Sequence, residues 1–198
     1  MKKQLGASDA FFPIPATLVV SGSGNEANII TIVWIGIVSS TPPTIGISLY
    51  KERHSLELIM KTGEFTVNIA SADLVKETDY CGMVSGKKTN KFNDTGFTPI
   101  QGTVVKSPII KECPYNMECK VVGKMEMGDW ILVLGEIVET HIDDDKIIET
   151  MGKYKIDISK VNPLTYCAGI REYWQLGEKV GDAFRVGKQL NLSLKSHL

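Results

Sequence analysis

Two clusters in this 198-residue chain carry side chains suited to holding an anion, and a third lies just ahead of them. Arg53-His54-Ser55 follows Lys51 and Glu52 and precedes Leu56, Ile59 and Met60 at helical spacing, which predicts a short helix with Ser55 as its cap. The N-terminus of such a helix presents free N–H groups beside Lys51 and Arg53, the chemistry of a small-anion site. The second cluster, residues 85–92 (Ser-Gly-Lys-Lys-Thr-Asn-Lys-Phe), holds three lysines and no acid. Two readings stand for it: a solvated basic face, or a set of donors for a small phosphate. It is not a nucleotide P-loop, because Gly82 is one residue too close to Gly86 and Lys87 is followed by Lys88 instead of Ser or Thr. The third is Asn28, Thr31 and Trp34, two hydrogen-bonding side chains and an indole within seven residues.

The elements that must position these groups read mostly as strands. Residues 29–38 are rich in β-branched side chains and too few to span a bilayer, so they predict one central strand. Pro42-Pro43 forces a turn, and residues 44–50 predict a second strand paired with the first. Residues 16–21 predict a strand, and residues 64–69 alternate as one. A second short helix is expected over residues 71–80, capped by Ser71 or Asp73. Residues 115–127 alternate apolar and charged, Gly128-Asp129 turns the chain, and residues 130–138 return as an apolar run with Gly135 easing a bend. Gly22-Ser23-Gly24-Asn25-Glu26-Ala27 fits a permissive dinucleotide fingerprint, but β-branched strand follows where that motif needs a helix, so it reads as a hairpin turn. Asp143-Asp144-Asp145 reads as a solvated turn, short of the ligands calcium needs. Residues 187–198 read as a mobile or partner-bound tail. Many short strands with two or three short helices predict a mainly β protein, an antiparallel barrel decorated by helices.

Composition sets the bounds. With 43% hydrophobic residues and 22 Lys plus Arg against 23 Asp plus Glu, the chain supports one core and one domain, 1–198, and argues against a nucleic-acid partner. Asp9, Pro13 and Pro15 interrupt what would have to be a signal h-region, so the expectation is a cytoplasmic protein with no membrane contact. Cys81, Cys113, Cys119 and Cys167 form no C-x-x-C pair and sit in apolar or strand-like settings, which favours buried free thiols over a metal site or disulfides.

In order and spacing the chain resembles the flavin reductase-like family of FMN-binding split barrels, its flavoredoxin-type members above all. The resemblance rests on Asn28 and Thr31 before Trp34, residues 38–43 including Ser39, Arg53-His54-Ser55, residues 63–68, Ser85-Gly86 with Lys91-Phe92, Gly128-Asp129 and Tyr173-Trp174. It covers nearly the whole chain. It implies a split β-barrel that forms a homodimer, binds FMN non-covalently near the subunit interface, and passes electrons between a reduced nicotinamide or small redox protein and an acceptor. On that reading Arg53, Ser55 and Lys91 meet the phosphate, with His54, Ser85 and Gly86 beside it and Ser39 in the turn motif. Asn28 and Thr31 bond the ring edge or ribityl chain, and Trp34 is an aromatic wall. Glu57, in the first turn of the helix, must then point away from the anion. The alternatives are that Trp34 is core packing and that His54 is a neighbour of Glu52.

The chain departs from the family where the latter often has Gly-Asp-His, for here Trp130 follows Gly128-Asp129. A titrating ring that would face the flavin is replaced by an indole, which puts proton transfer at that turn, and reaction with a nicotinamide, in question. Two further functions fit the same architecture: an enzyme like pyridoxamine-phosphate oxidase, and a non-catalytic binding module that has lost the cofactor. Retention of Arg53, Ser55 and Lys91 separates the FMN-binding readings from the last.

Overall fold

The computed structural model describes residues 1–150, 152–188 and 190. In chain order its strands are β1 (Ile14–Pro15), β2 (Thr17–Ser21), β3 (Asn28–Ile32), β4 (Ile35–Ser40), β5 (Pro43–Tyr50), β6 (Glu64–Ile69), β7 (Pro99–Ile100), β8 (Ile109–Ile110), β9 (Tyr115–Met127), β10 (Trp130–Ile142), β11 (Ile147–Thr150), β12 (Lys153–Ile156), β13 (Leu164–Cys167) and β14 (Glu172–Gln175). The helices are α1 (His54–Thr62), α2 (Val75–Met83), α3 (Lys91–Thr95) and α4 (Ile158–Val161). The protein is mainly β with a few short helices. Its centre is a seven-stranded antiparallel sheet in the order β3-β2-β6-β9-β10-β5-β4.

That order corrects the reading of residues 29–38 as one central strand. The run is two strands, β3 and β4, at opposite ends of the sheet. The register explains the break: β3 pairs with β2 as far as Ile32 opposite Thr17, where its partner begins, and β4 pairs with β5 from Ile35 opposite Ile47. Val33 and Trp34 carry the chain across, with the Ser48 N–H donating to the Trp34 carbonyl at 2.9 Å. The end strands are thus joined by two residues, and the described ladders leave the sheet open between them. The expected pairing of β4 with β5 across Pro42-Pro43 is present.

Two cores flank the sheet. Val19, Ile30, Ile47, Leu49, Phe65, Val67, Ile131 and Val133 pack with Leu56 and Ile59 of α1 on one face. Leu18, Val20, Ile29 and Ala70 pack with Cys81 of α2 and Phe92 of α3 on the other. β2 is therefore buried on both faces, which is why its sequence, Thr-Leu-Val-Val-Ser, shows no wet alternation. The hairpin β9-β10 turns at Gly128 (φ 60°), as expected. Gly135 sits at a register shift, and a Cβ there would lie 2.5 Å from Phe65 Cζ, so the ring as well as the bend requires glycine.

Local details depart from the sequence reading. Arg53, not Ser55, holds the N-cap position of α1, and no side chain caps it. The second helix is a 3-10 turn, Ala72–Leu74, that runs into α2, and neither Ser71 nor Leu74 makes a side-chain cap at its N-cap position. Lys91 and Phe92 lie inside α3 and are buried. Beyond Pro163, β13 and β14 form a hairpin that β1 joins. The proposed tail falls mostly on residues 189 and 191–198, outside the described residues. Cys81, Cys113 and Cys119 are buried free thiols and Cys167 is half-buried; burial pushes Cys81 up to about 11 and Cys119 to about 12. Among the described residues, no helix is long and apolar enough to cross a membrane.

Candidate functional site

A polar cavity of about 270 Å³ opens where β3, the turn after β5, the start of α1 and residues 84–86 meet. Seven of the sequence-predicted residues line it: Asn28, Arg53, His54, Ser55, Ser85, Gly86 and Lys91. Asn28 and Ser55 lie on neighbouring elements, and the Asn28 amide Nδ2 donates to Ser55 Oγ at 2.7 Å. Ser55 is buried in the first turn of α1, so its hydroxyl serves the cavity wall and not the helix end. Gly86 has to be glycine, because a Cβ there would fall 1.9 Å from Asn28 Oδ1. Ser85 shapes the turn that brings Gly86 in: its carbonyl accepts from Lys88 N–H and its hydroxyl from Lys87 N–H.

The charge of the cavity is positive on balance. Lys91 is 3% exposed, and its ammonium donates to the carbonyls of Ile29 and Cys81, each at 2.7 Å. Burial pushes this ammonium down to about 8; the Cys81 sulfur opposes the shift and the nearby Arg53 guanidinium adds to it. Two cations thus face one hollow, and Glu52 is the one carboxylate residue of its lining among the described residues. Glu57 stays out of the lining, as an anion site requires, held by Lys87 at 2.6 Å and His54 at 3.1 Å. These two partners, Lys87 first, keep its carboxyl below the usual range. The acidic neighbour of His54 is therefore Glu57 and not Glu52.

A second hollow adjoins the cavity across Ile30, Tyr50 and Arg53. Thr31, Trp34, Ser48 and Trp130 line it, and it opens into a more apolar recess between Trp34, Met127 and Trp130. Thr31 is fixed by donating its hydroxyl to the Thr78 carbonyl. Trp130 is 39% exposed and packs edge-on against Tyr50, its cross-strand partner, at 5.9 Å between ring centres and 75° between planes. Trp34 is half-buried in the link between β3 and β4, at the wall of this hollow and outside the main core. A planar ring slotted here would meet two indoles, with the cation-rich cavity at its far end.

Ser39 does not join the site. It lies on β4, where its hydroxyl accepts from Thr41 N–H at 3.2 Å, and it lines neither hollow. Sequence reasoning missed Tyr50 and Ile30. The signal for Tyr50 was its place at the end of a strand that pairs with the Trp130 strand; none existed for Ile30.

Residues 9–174 match the family described as flavin reductase like domain. Among solved structures, the chain is similar to flavoredoxin of Desulfovibrio vulgaris (Miyazaki F), 34% identical over 94% of this chain and 100% of that one, with a TM-score of 0.89. It is also similar to flavoredoxin from Methanosarcina acetivorans, 33% identical over 96% and 100%, with a TM-score of 0.85. An uncharacterized protein of Archaeoglobus fulgidus is 37% identical over 67% of this chain and 75% of its own length.

Proposed function

The chain belongs to the flavin reductase-like family, and from that premise we propose that it is an FMN-dependent oxidoreductase of the flavoredoxin type built on a split barrel. The observation that carries the reading is the continuity of a cation-rich polar cavity, walled by Arg53 and Lys91, with a hollow walled by Trp34 and Trp130. An amphipathic ligand with a phosphate at one end and a flat ring at the other needs those two environments in that order. Arg53 supplies a guanidinium with no described carboxylate partner. Lys91 supplies charge, while its two carbonyl bonds pin β3 to α2 and leave it one further donor. Asn28 and Ser55 orient the polar middle of the ligand, and Trp34 and Trp130 keep water from its ring. Bound flavin would supply the redox chemistry, taking electrons from a reduced nicotinamide or a small redox protein.

A homodimer in the cytoplasm completes the proposal. The register row Gly36, Gly46, Leu134, Gly123 crosses four strands of the sheet, and exposed Val38, Met125 and Met127 flank it. Such a smooth apolar face suits a second copy; sedimentation that finds a stable monomer with flavin bound overturns the dimer. The direct test of the function is titration of flavin-free protein with FMN, read by absorbance and by quenching of Trp34 and Trp130 emission. Saturation near one equivalent per chain supports the reading, and protein that stays colourless and unquenched refutes it.

A further inference from the structure

At the indole end the site opens into a recess of about 390 Å³ whose lining is unlike that of the phosphate end. Trp34, Met127 and Trp130 give it apolar walls, Ser48 adds a hydroxyl, and Asp9 adds its one carboxylate. We propose that Asp9 sets the charge of the molecule that enters beside the flavin ring, so that the recess takes flat aromatic cations in preference to neutral or anionic aromatics. The inference rests on the flavin reading above.

The chain is held so as to bring Asp9 to this recess. The Asp9 carbonyl accepts from the Phe11 N–H at 2.8 Å and the Ser8 hydroxyl from the Ala10 N–H at 3.0 Å, which closes a turn around Asp9. Ala10 seats on Gly169, between β13 and β14, where a Cβ would lie 2.6 Å from Ala10 Cβ. The Asp9 carboxylate has no hydrogen-bond or ion-pair partner among the described residues. Lys51, the cation that follows β5, is committed to Glu126 at 3.2 Å. Asp129 stands in the turn before Trp130, its carbonyl accepting from the Lys51 N–H. The ring end is therefore negative on balance, while Arg53 and Lys91 make the phosphate end positive. A flat cation gains twice here: an indole attracts positive charge to its face, and Asp9 offers an ion-pair partner. The Met127 thioether adapts to an aromatic outline. A neutral ring keeps only the apolar burial. An anion of the same shape meets repulsion at Asp9, and Arg53 and Lys91 cannot compensate, because on the flavin reading the phosphate holds them.

The test titrates the FMN-loaded full chain by calorimetry with N-methylquinolinium, quinoline and naphthoate. These are fused two-ring ligands of similar area that are positive, neutral and negative at neutral pH. Met127 also flanks the face proposed for a second copy, so the protein is used in its native assembly. At low salt N-methylquinolinium is expected to bind about fivefold more tightly than quinoline, and naphthoate about threefold more weakly. Asp9→Asn keeps the shape and removes the charge. It is expected to weaken N-methylquinolinium about threefold and to strengthen naphthoate by a similar factor, with quinoline and FMN within about 1.5-fold. Asp9→Glu is expected to keep the order seen in the unmodified protein. The inference is overturned if the three ligands bind alike, if none binds, or if Asp9→Asn keeps the full preference for the cation, which would assign it to the indoles. FMN uptake is read separately, by absorbance before the second ligand is added. Protein that takes up no FMN overturns the flavin reading, and the inference with it.

Discussion

Substituting Gly86 by Ala should cost both stability and flavin affinity through one contact. The new methyl carbon would lie 1.9 Å from Asn28 Oδ1, 2.4 Å from its Cγ and 2.9 Å from its Nδ2. Asn28 is 6% exposed and donates to Ser55 Oγ at 2.7 Å, so it cannot move away without giving up that bond. Overpacking of this kind costs about 1–3 kcal/mol and a lost hydrogen bond about 0.5–1.5 kcal/mol. Together Gly86→Ala should lose roughly 1.5–4.5 kcal/mol of unfolding free energy in urea. The cause is specific to the pair, so Asn28→Ala combined with Gly86→Ala should cost less than the sum of the two single changes, with a coupling of at least about 1 kcal/mol. The same two variants, titrated with FMN, should each bind it more weakly than the unmodified protein. A Gly86→Ala protein with unmodified stability, or additive behaviour of the pair, would refute the claim that Gly86 is present to admit the Asn28 amide.

Other outcomes follow from charged groups and from the indoles. Glu118 is fully buried and accepts hydrogen bonds from the N–H groups of Thr103, Val104 and Val105, the Thr103 hydroxyl and His141. Burial opposes its ionisation, but His141 and those amides outweigh it and bring the carboxyl down to about 2. Its folded pKa lies below the unfolded value of 4.5, so the ionised group adds stability above pH 4.5 that is lost as pH falls from there toward 2. Glu118→Gln should remove about 3 kcal/mol at pH 7 and flatten the acid limb of a urea-midpoint against pH plot; an unchanged limb would contradict this. Lys91→Ala leaves the Ile29 and Cys81 carbonyls unpaired, so it should lower the thermal midpoint of flavin-free protein, which a residue serving only the ligand would not do. Trp130→His should raise the rate of bound-flavin reduction by NAD(P)H by at least about tenfold in stopped flow, leaving dye-mediated reduction nearly unchanged. Fast reduction of the unmodified protein by NAD(P)H would show that Trp130 restricts nothing.

The parts of this fold legible in the sequence are those with a local cause. Pro42-Pro43 turned the chain where β4 meets β5, and alternation in residues 115–127 marked a strand with one wet face. The same local logic failed at Val33-Trp34, where β-branched residues continue without Gly or Pro until Gly36. The strand ends there because β2, its partner, begins at Thr17, a fact of pairing across the sheet that propensity does not encode. Lys91 was legible as a cation but not as a buried one. Its helix is five residues long, too short for a 3.6-residue period to show, and its carbonyl partners come from β3 and α2. Ser55 was placed at the right helix with the wrong task, since its hydrogen-bond partner, Asn28, is 27 residues away.

Arg53 and the phosphate end of the site are tested most directly by comparing FMN with riboflavin on the unmodified protein and on Arg53→Ala. The two ligands share the ring and differ by the phosphate. If Arg53 meets the phosphate, the unmodified protein binds FMN far more tightly than riboflavin. Arg53→Ala then lowers FMN affinity by roughly ten- to hundredfold and leaves riboflavin within about twofold. Equal affinities for the two ligands in the unmodified protein, or equal losses for both in the variant, would contradict the assignment of a flavin phosphate to this cavity.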